Sequence, residues 1–244
     1  MKHTITLLFA LAFIQGYPQT ADDIINKYIA ATGGADKWAK VYSLKFTGNY
    51  VMGPGMLAPV TEIDLSKPFK GYYSSFSWQG LTNMQAMRAD SGWNYNPFRG
   101  KRESDPLSPN EIRALTLNCD PQGLLFNYKQ KGYSVDYLGT DDMDGTDVYK
   151  LRLITQQGDM VYYYIDAESY YILKIATRIK LKDKEEKIYN VFSDYRKTEF
   201  GVVLPFTVQG VDENGTEQGG PVQYTKVEIN GTLDQSIFNK PDKQ

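Results

Sequence analysis

The sequence predicts a mainly β (α+β) fold, a curved antiparallel half-barrel of about eleven strands with an N-terminal helix and a central helical lid over the concave face. At its centre three β-type runs, Val148–Thr155, Met160–Asp166 and Tyr170–Lys180, are joined by short polar turns. Turns this short join antiparallel neighbours, because a parallel crossover needs a dozen or more residues. Further strand-like runs flank this meander, and open sheets of more than ~10 strands curl.

The first residues have the layout of a secretory signal peptide. Met1–His3 is a basic start, Thr4–Ile14 is an apolar run, and a polar, turn-prone stretch follows. The apolar run is too short to anchor the chain in a bilayer. We therefore expect residues 1–20 to be removed on export to the periplasm and residues 21–244 to form a single domain.

Composition excludes several kinds of chemistry. The only histidine is His3, inside the predicted signal peptide, so the remaining chain has no Ser-His or Cys-His pair and no histidine for a zinc site. The single Cys119 permits no internal disulfide. A net charge of −2 without a basic cluster argues against nucleic-acid binding. We predict no enzyme, catalytic residue, metal ligand or cofactor, although paired carboxylates for acid–base catalysis are an open alternative.

A helix is predicted over Ala21–Thr32, where Ile24, Ile25, Tyr28 and Ile29 follow helical spacing. Gly33-Gly34 ends it, and Ala35–Lys40 forms one more turn that carries Trp38. This helix is amphipathic and needs an apolar surface to lie on.

Alternating polar and apolar residues predict the strands of the first half. They are Tyr42–Met52, Val60–Ser66, Tyr72–Trp78, Leu81–Asp90 and Gly92–Tyr95. Their apolar residues are the candidates for a ligand-binding cavity under the helices: Leu44, Phe46, Ile63, Leu65, Tyr72, Phe76, Trp78, Trp93 and Tyr95. The alternative interpretation is an ordinary core, because buried aromatic residues are expected in any domain of this size.

The central lid is predicted over Ser108–Lys129. Ser108, Pro109 and Glu111 form the capping-box pattern of a helix start, Asp120-Pro121 interrupts the helix, and Gln122–Lys129 continues it. The apolar lid residues are Ile112, Leu115, Leu117, Leu124, Leu125 and Phe126. They form either a movable gate or a fixed plug, and both alternatives are open at this stage.

Strands resume at Tyr133–Leu138 and continue through the meander to Glu186–Tyr195, Gly201–Val211 and Val222–Asn230. Met160–Asp166 is apolar on both faces, so we expect an apolar segment to cover each face of the sheet there. The acidic stretch 141–147 resembles a calcium loop but has Arg152 where the bidentate Glu should stand, which favours a solvated turn.

Three segments of the second half carry a family resemblance. They are Tyr162-Tyr163-Tyr164-Ile165-Asp166 through Tyr170-Tyr171-Ile172-Leu173-Lys174, Phe192-Ser193-Asp194-Tyr195, and Ile229-Asn230-Gly231-Thr232-Leu233 through Phe238-Asn239-Lys240-Pro241. Together with the order of elements they resemble the periplasmic lipoprotein carriers of the LolA/LolB type, and more closely the outer membrane lipoprotein-sorting protein group. The order of elements matches over nearly the whole chain, whereas the motifs lie within residues 150–241.

The resemblance implies a half-barrel whose cavity shields the acyl chains of a lipoprotein or lipid on the way to the outer membrane. It implies acyl-chain ligands, membrane-associated donor and acceptor proteins as partners, and a monomer. Carriers of this type hold the lid shut with a strand arginine, for which Arg88 and Arg99 are the candidates here. The alternative is a ligand-sensing envelope interaction or regulatory module without carrier activity.

Overall fold

The computed structural model describes residues 19–65, 70–100, 103–117, 119–180 and 185–241, with only the backbone described at 64 and 65. All but the last two residues of the predicted signal peptide lie outside these ranges. Within them, 13 strands form one antiparallel sheet that carries an N-terminal helix and a short central helix. The predicted mainly β fold is confirmed.

The helices are α1 (Ala21–Ala31), α2 (Ala35–Trp38) and α3 (Pro109–Thr116), with 3-10 turns at Pro97–Arg99 and Gln235–Phe238. The strands are β1 (Ser43–Gly53), β2 (Met56–Leu65), β3 (Gly71–Trp78), β4 (Leu81–Arg88), β5 (Ser91–Tyr95), β6 (Asp105–Pro106), β7 (Ser134–Met143), β8 (Thr146–Ile154), β9 (Met160–Asp166), β10 (Ile172–Lys180), β11 (Glu185–Lys197), β12 (Val203–Val211) and β13 (Val222–Ile229). None of the helices in the described ranges is both long and apolar enough to cross a membrane.

Two meanders make up the sheet. Its strand order is β6-β5-β4-β3-β2-β1-β13-β12-β11-β10-β9-β8-β7, so the two halves of the chain meet where β1 pairs with β13. The predicted central meander is β8–β10, in which Leu151 pairs with Tyr163 and Tyr163 with Ile175. Strand β5 corresponds to the predicted run Gly92–Tyr95, whereas the two-residue β6 has no counterpart among the predicted strands.

Helix α1 forms as its sequence predicts. The hydroxyl of Thr20 accepts a hydrogen bond from the backbone N–H of Asp23, and the Asp23 carboxylate accepts one from that of Thr20, which completes a capping box. Gly33, at φ 126°, approaches the backbone of Gly201 so closely that a Cβ atom would lie 2.8 Å from its carbonyl oxygen. The Trp38 indole N–H donates to the Thr32 hydroxyl at 3.0 Å, which ties α2 to the end of α1.

One face of the sheet, here called the inner face, carries the helices. Ile24 and Ile25 of α1 pack on Leu151 and Leu153 of β8 and on alternate residues of β9, and all of these side chains are buried. A second inner-face cluster, around Trp38 and Phe46, joins β1, β12 and β13. Because strand side chains alternate between the two faces, one set of apolar side chains packs against the helices.

The sheet curves around its inner face. A single cavity of about 270 Å³ is lined by Phe46 of β1, Glu62 of β2 and Tyr163 of β9. Strands β2 and β9 are six positions apart in the sheet order, which in a flat sheet would separate them by ~29 Å. A cavity of this size touches both strands only because the sheet curls.

The segment after α3 differs from the predicted second helix. Residues 121–132 form consecutive turns in place of an α-helix over Gln122–Lys129. Gly123 and Asn127 have positive φ values of 71° and 53°, which a right-handed helix does not accommodate. The predicted central lid is therefore the helix α3 followed by a compact run of turns, and we call the residues 109–117 and 119–132 the lid segment.

The outer face is covered differently at its two ends. At one end Ile63, Tyr73, Ala86 and Trp93 form a cluster with Phe238, so the chain's last turn, Gln235–Phe238, covers β2–β5. The Trp93 indole N–H donates to the Phe238 carbonyl oxygen at 3.0 Å, which fixes this turn against the sheet.

At the other end, none of the described residues forms an apolar cover over the outer face of β9, contrary to expectation. Charged side chains of the neighbouring strands lie over its tyrosines. Lys150 Nζ lies 5.1 Å and Lys174 Nζ 5.5 Å from the centroid of the Tyr164 ring, and the Arg178 guanidinium lies 5.3 Å from that of Tyr162. Long basic side chains can cover aromatic surface while their charges stay in water, so the second apolar face needs no further segment.

The pairing between β12 and β13 is short. Only Thr207–Gln223 and Val208–Val222 are in register, and the two strands diverge on the side of Phe206 and Tyr224, away from the hairpin that connects them. An extra residue in β13 shifts its register with β1 between Thr47 and Gly48, and a Cβ atom on Gly48 would lie 2.1 Å from the Gln223 carbonyl oxygen. The divergence leaves a slit of about 670 Å³, whose apolar walls are Phe200, Phe206, Val227 and Ile229.

Candidate functional site

The principal cavity lies between the inner face and the lid segment. Its volume is about 270 Å³ and most of its wall is apolar: Trp38, Phe46, Leu117, Pro121, Leu124, Leu125, Val161, Ile172, Ile175, Phe192, Leu204 and Pro205. Tyr28 and Tyr163 add their rings, and burial raises the pKa of Tyr28 to about 12, so that its hydroxyl stays neutral. This wall suits an apolar ligand.

A second cavity adjoins the first. It has a volume of about 240 Å³ and is lined by Tyr50, Val60, Phe76, Val222 and Tyr224 together with the polar residues Ser74 and Asn83. Glu62 lines both cavities, so they meet at its side chain. The inner face therefore offers two adjoining cavities, both mainly apolar, with the Glu62 carboxyl between them.

Glu62 is the charged group at this junction. The Tyr224 hydroxyl donates to its carboxyl at 2.7 Å, and the Tyr72 hydroxyl is a second hydrogen-bond partner. Burial raises the pKa of the Glu62 carboxyl above its usual range, and the two hydrogen bonds offset part of that rise. The ion pairs found among the described residues do not include Glu62, which leaves this carboxyl without a cation there.

Aromatic rings surround the junction. Phe46 lies directly opposite Glu62 in the pairing of β1 with β2, and its ring centroid is 4.7 Å from that of Tyr224. The rings of Tyr50 and Phe76 stand edge to face in the second cavity, with centroids 5.8 Å apart. The strand alternation delivers these rings and Glu62 to the same face.

The structure distributes the predicted cavity residues unequally. Phe46 and Phe76 line the cavities. Leu44 is buried in the inner-face core, and Tyr72 packs under α3 while its hydroxyl reaches Glu62. Trp78 is half-buried beside the β3–β4 turn and is absent from the lining of both cavities.

Three of the predicted residues face away from the cavities. Ile63, Trp93 and Tyr95 belong to the outer-face cluster under the closing turn Gln235–Phe238. The alternation in β2 shows which residues share a face but does not show which face the helices cover. The side chain of Leu65 lies outside the described residues.

The lid residues contact the sheet in two groups. Ile112 and Leu115 of α3 pack on the cluster of Tyr72 and Met87. Further along the chain, Leu117, Leu124 and Leu125 line the principal cavity, and Phe126 is buried with Trp38. Whether these residues open as a gate stays a prediction.

Polar contacts hold the lid segment at both ends. Arg113 of α3 forms a two-point ion pair with the buried carboxylate of Asp159. At the other end, the Asp22 carboxylate of α1 accepts hydrogen bonds from the Tyr128 hydroxyl at 2.7 Å and from Lys129 at 2.6 Å. Arg113 therefore links the lid segment to the β8–β9 turn; the candidate arginines Arg88 and Arg99 lie at the end of β4 and in a 3-10 turn, and a role for them in the lid stays a prediction.

Sequence reasoning missed Glu62 and Tyr224. The run Val60–Leu65 alternates, and we assigned Ile63 and Leu65 to the interior because they are the more apolar set. The signal that could have corrected this assignment is the closing segment Leu233–Phe238, whose apolar residues need an apolar sheet surface of their own.

The acidic stretch 141–147 forms the β7–β8 turn. Asp144 and Gly145 have φ values of 52° and 85°, as a two-residue hairpin turn requires, and Asp141 pairs with Lys150. Within the described ranges, no group of three or more His, Cys, Asp or Glu side chains could hold a metal ion.

No protein-family model and no curated protein matches this sequence. Its fold is similar to that of a LolA superfamily protein from Nitrosomonas europaea, with a TM-score of 0.53 and 15% identity over 91% of this chain and 98% of that chain. It is also similar to an outer membrane lipoprotein-sorting protein domain from Vibrio parahaemolyticus, with a TM-score of 0.51 and 14% identity over 89% of this chain and 95% of that chain. The predicted resemblance is confirmed at the level of the fold.

Proposed function

We propose that the protein binds the acyl chains of a lipoprotein or another hydrophobic ligand in its inner-face cavity and transfers them through the periplasm to the outer membrane. The observation that carries this proposal is the apolar cavity between the curled sheet and the lid segment. The fold shared with a lipoprotein-sorting domain supports it. Binding and release of a ligand need no catalytic group, so the proposed function is not enzymatic.

The energetics favour an acyl ligand. Burial of each CH₂ group contributes ~0.8 kcal/mol, so a hexadecyl chain gains ~12 kcal/mol before the cost of ordering it. Each of the two adjoining cavities, of about 270 and 240 Å³, is by itself below the ~300–1,000 Å³ of typical ligand pockets. In the proposed cycle the lid segment moves outward to admit a long chain, and its buried Leu124 and Leu125 return to the cavity when the cargo leaves.

Native mass spectrometry of the protein purified without detergent, followed by organic extraction, tests the proposal directly. A bound fatty acid, phospholipid or acylated peptide is the expected result. A protein that is empty and also takes up no fluorescent fatty acid would contradict it. That outcome would make the lid segment a fixed plug and favour the envelope interaction module.

A cavity-filling variant gives a second test. Thr177 of β10 lines the principal cavity, and Thr177→Trp should fill it and weaken fatty-acid binding by at least about tenfold. The matched control is Thr140→Trp, the same change at an exposed position of β7. If both variants bind the fatty acid as tightly as the unaltered protein, the cavity under the lid segment is not the binding site.

A further inference from the structure

The two adjoining cavities share one carboxyl group, that of Glu62. The walls of both are mainly apolar, and Glu62 lies where the cavity under the lid segment meets the one lined by Tyr50 and Phe76. An apolar cavity with a carboxyl in its wall fits an amphipathic molecule, with its chain under the lid segment and its end group beside that carboxyl. Glu62 lies at the position that the end group would occupy.

The surroundings of Glu62 favour a cation as that end group. The carboxyl is opposite the Phe46 ring and accepts a hydrogen bond from Tyr224, while Phe76 lines the same cavity. Ammonium groups bind where a carboxylate supplies the opposite charge and aromatic faces supply cation–π attraction. In the described part of the chain no lysine or arginine forms an ion pair with Glu62 to fill this role.

We propose that Glu62 binds the ammonium end group of an amphipathic ligand whose alkyl or acyl chain lies in the cavity under the lid segment. This inference rests on the proposed function and adds the chemistry of the ligand's polar end. A fatty acid would place a second carboxyl beside Glu62, and two carboxylates at one site disfavour each other's charge. An amine-bearing lipid satisfies both the charge of Glu62 and the apolar wall.

Matched ligands with one dodecyl chain test the proposal. Titration calorimetry with dodecylammonium, dodecanol and dodecanoate is done at physiological ionic strength, below the concentration at which each forms micelles. The protein should bind dodecylammonium at least about tenfold more tightly than dodecanoate. Butylammonium, which carries the charge but little apolar surface, should show no measurable binding.

Two variants assign the preference to the carboxyl. Glu62→Gln keeps the shape and should weaken dodecylammonium binding by about tenfold or more while leaving dodecanol binding within about twofold. Glu168→Gln removes the same charge from an exposed turn between β9 and β10 and should change neither. Circular dichroism of both variants confirms that they are folded.

The outcomes separate this inference from the proposed function. If the three dodecyl ligands bind equally well, or if Glu62→Gln binds dodecylammonium as tightly as the unaltered protein, the ammonium assignment is overturned while the cavity stands. Butylammonium binding as tight as that of dodecylammonium would overturn the placement of the chain. If no dodecyl ligand binds, the proposed function falls and this inference falls with it.

Discussion

The guanidinium group of Arg113 and the carboxylate of Asp159 join the lid segment to the turn between β8 and β9. Nη2 of Arg113 lies 2.6 Å from Oδ1 of Asp159, and Nε lies 3.1 Å from Oδ2. The Asp159 side chain is 2% exposed and that of Arg113 is 25% exposed. Because the backbone N–H of Lys180 also donates to this carboxylate, one pair holds α3, the β8–β9 turn and the end of β10 together.

Loss of this ion pair should destabilise the protein. Arg113→Ala is expected to lower the free energy of unfolding by about 3 kcal/mol, because it leaves the Asp159 carboxylate buried without its cation. Denaturation in urea measures the change. The control is Arg152→Ala, whose pair with Asp136 is 36% and 48% exposed and should contribute only about 0–1 kcal/mol. Equal losses in the two variants would contradict a special role for Arg113.

Glu62→Gln should make stability less dependent on pH. Burial raises the pKa of the Glu62 carboxyl in the folded protein above its ordinary value of 4.5, so the folded state loses relative stability as the pH rises through that region. The variant should match the unaltered protein below the ordinary value and melt at a higher temperature near neutral pH. The titratable side chains that face Glu62 are Tyr72 and Tyr224.

Thermal melts of both proteins between about pH 4 and pH 8 check this expectation, since other carboxyl groups contribute to both and cancel in the difference. A difference in stability of about 1 kcal/mol shifts the midpoint by about 2–4 °C in a chain of this size. A constant difference over the whole pH range would contradict the titration of Glu62.

Leu125→Ala should weaken the fold but improve its response to ligand. Leu125 is 2% exposed and lines the principal cavity, so its truncation should cost about 2–5 kcal/mol and enlarge the cavity. A dodecyl ligand should then raise the melting temperature more in the variant than in the unaltered protein. Leu138→Ala, at a residue that is 44% exposed, should cost within about 0.5 kcal/mol and leave the ligand effect unchanged.

Tryptophan fluorescence should report which face the ligand occupies. Trp38 lines the principal cavity, whereas Trp93 lies on the outer face with Phe238. In the variants Trp93→Phe and Trp38→Phe, each with Trp78→Phe as well, a brominated acyl chain should quench the emission of the variant that keeps only Trp38 more strongly than that of the variant that keeps only Trp93. Stronger quenching of Trp93 would place the ligand on the outer face.

Local patterns were sufficient to predict most of the elements. Ala21–Thr32 carries both its capping signal and a helical stripe, and the runs around Tyr163 have no alternative to strands. The second lid helix was predicted from Leu124 and Leu125, which are good helix formers. Gly123 and Asn127 are the local signal against it, because Gly and Asn adopt the left-handed conformation most readily.

The candidate site was harder to predict because it depends on which face turns inward. Of the predicted cavity residues, Phe46 and Phe76 line the cavities and Trp93 lies on the outer face, whereas Glu62 was not among the candidates. An alternating strand is equally consistent with either orientation when both faces are covered. The sequence indicates that the outer-face tyrosines of β9 must be covered. Only the structure shows that Lys150 and Arg178 of the neighbouring strands lie over their rings.

The short pairing between β12 and β13 divides the sheet into two leaves that share few backbone hydrogen bonds at their seam. The strands diverge from Thr207 towards the start of β12 and from Gln223 towards the end of β13, so this part of the seam has little cross-strand bonding to lose when the half-barrel widens. The lid segment opposes that motion because it contacts both leaves of the sheet. Its α3 rests on Tyr72 in one leaf, while Arg113 holds Asp159 in the other. The packing of α3 on Tyr72 and the Arg113–Asp159 ion pair therefore join the two leaves across this seam.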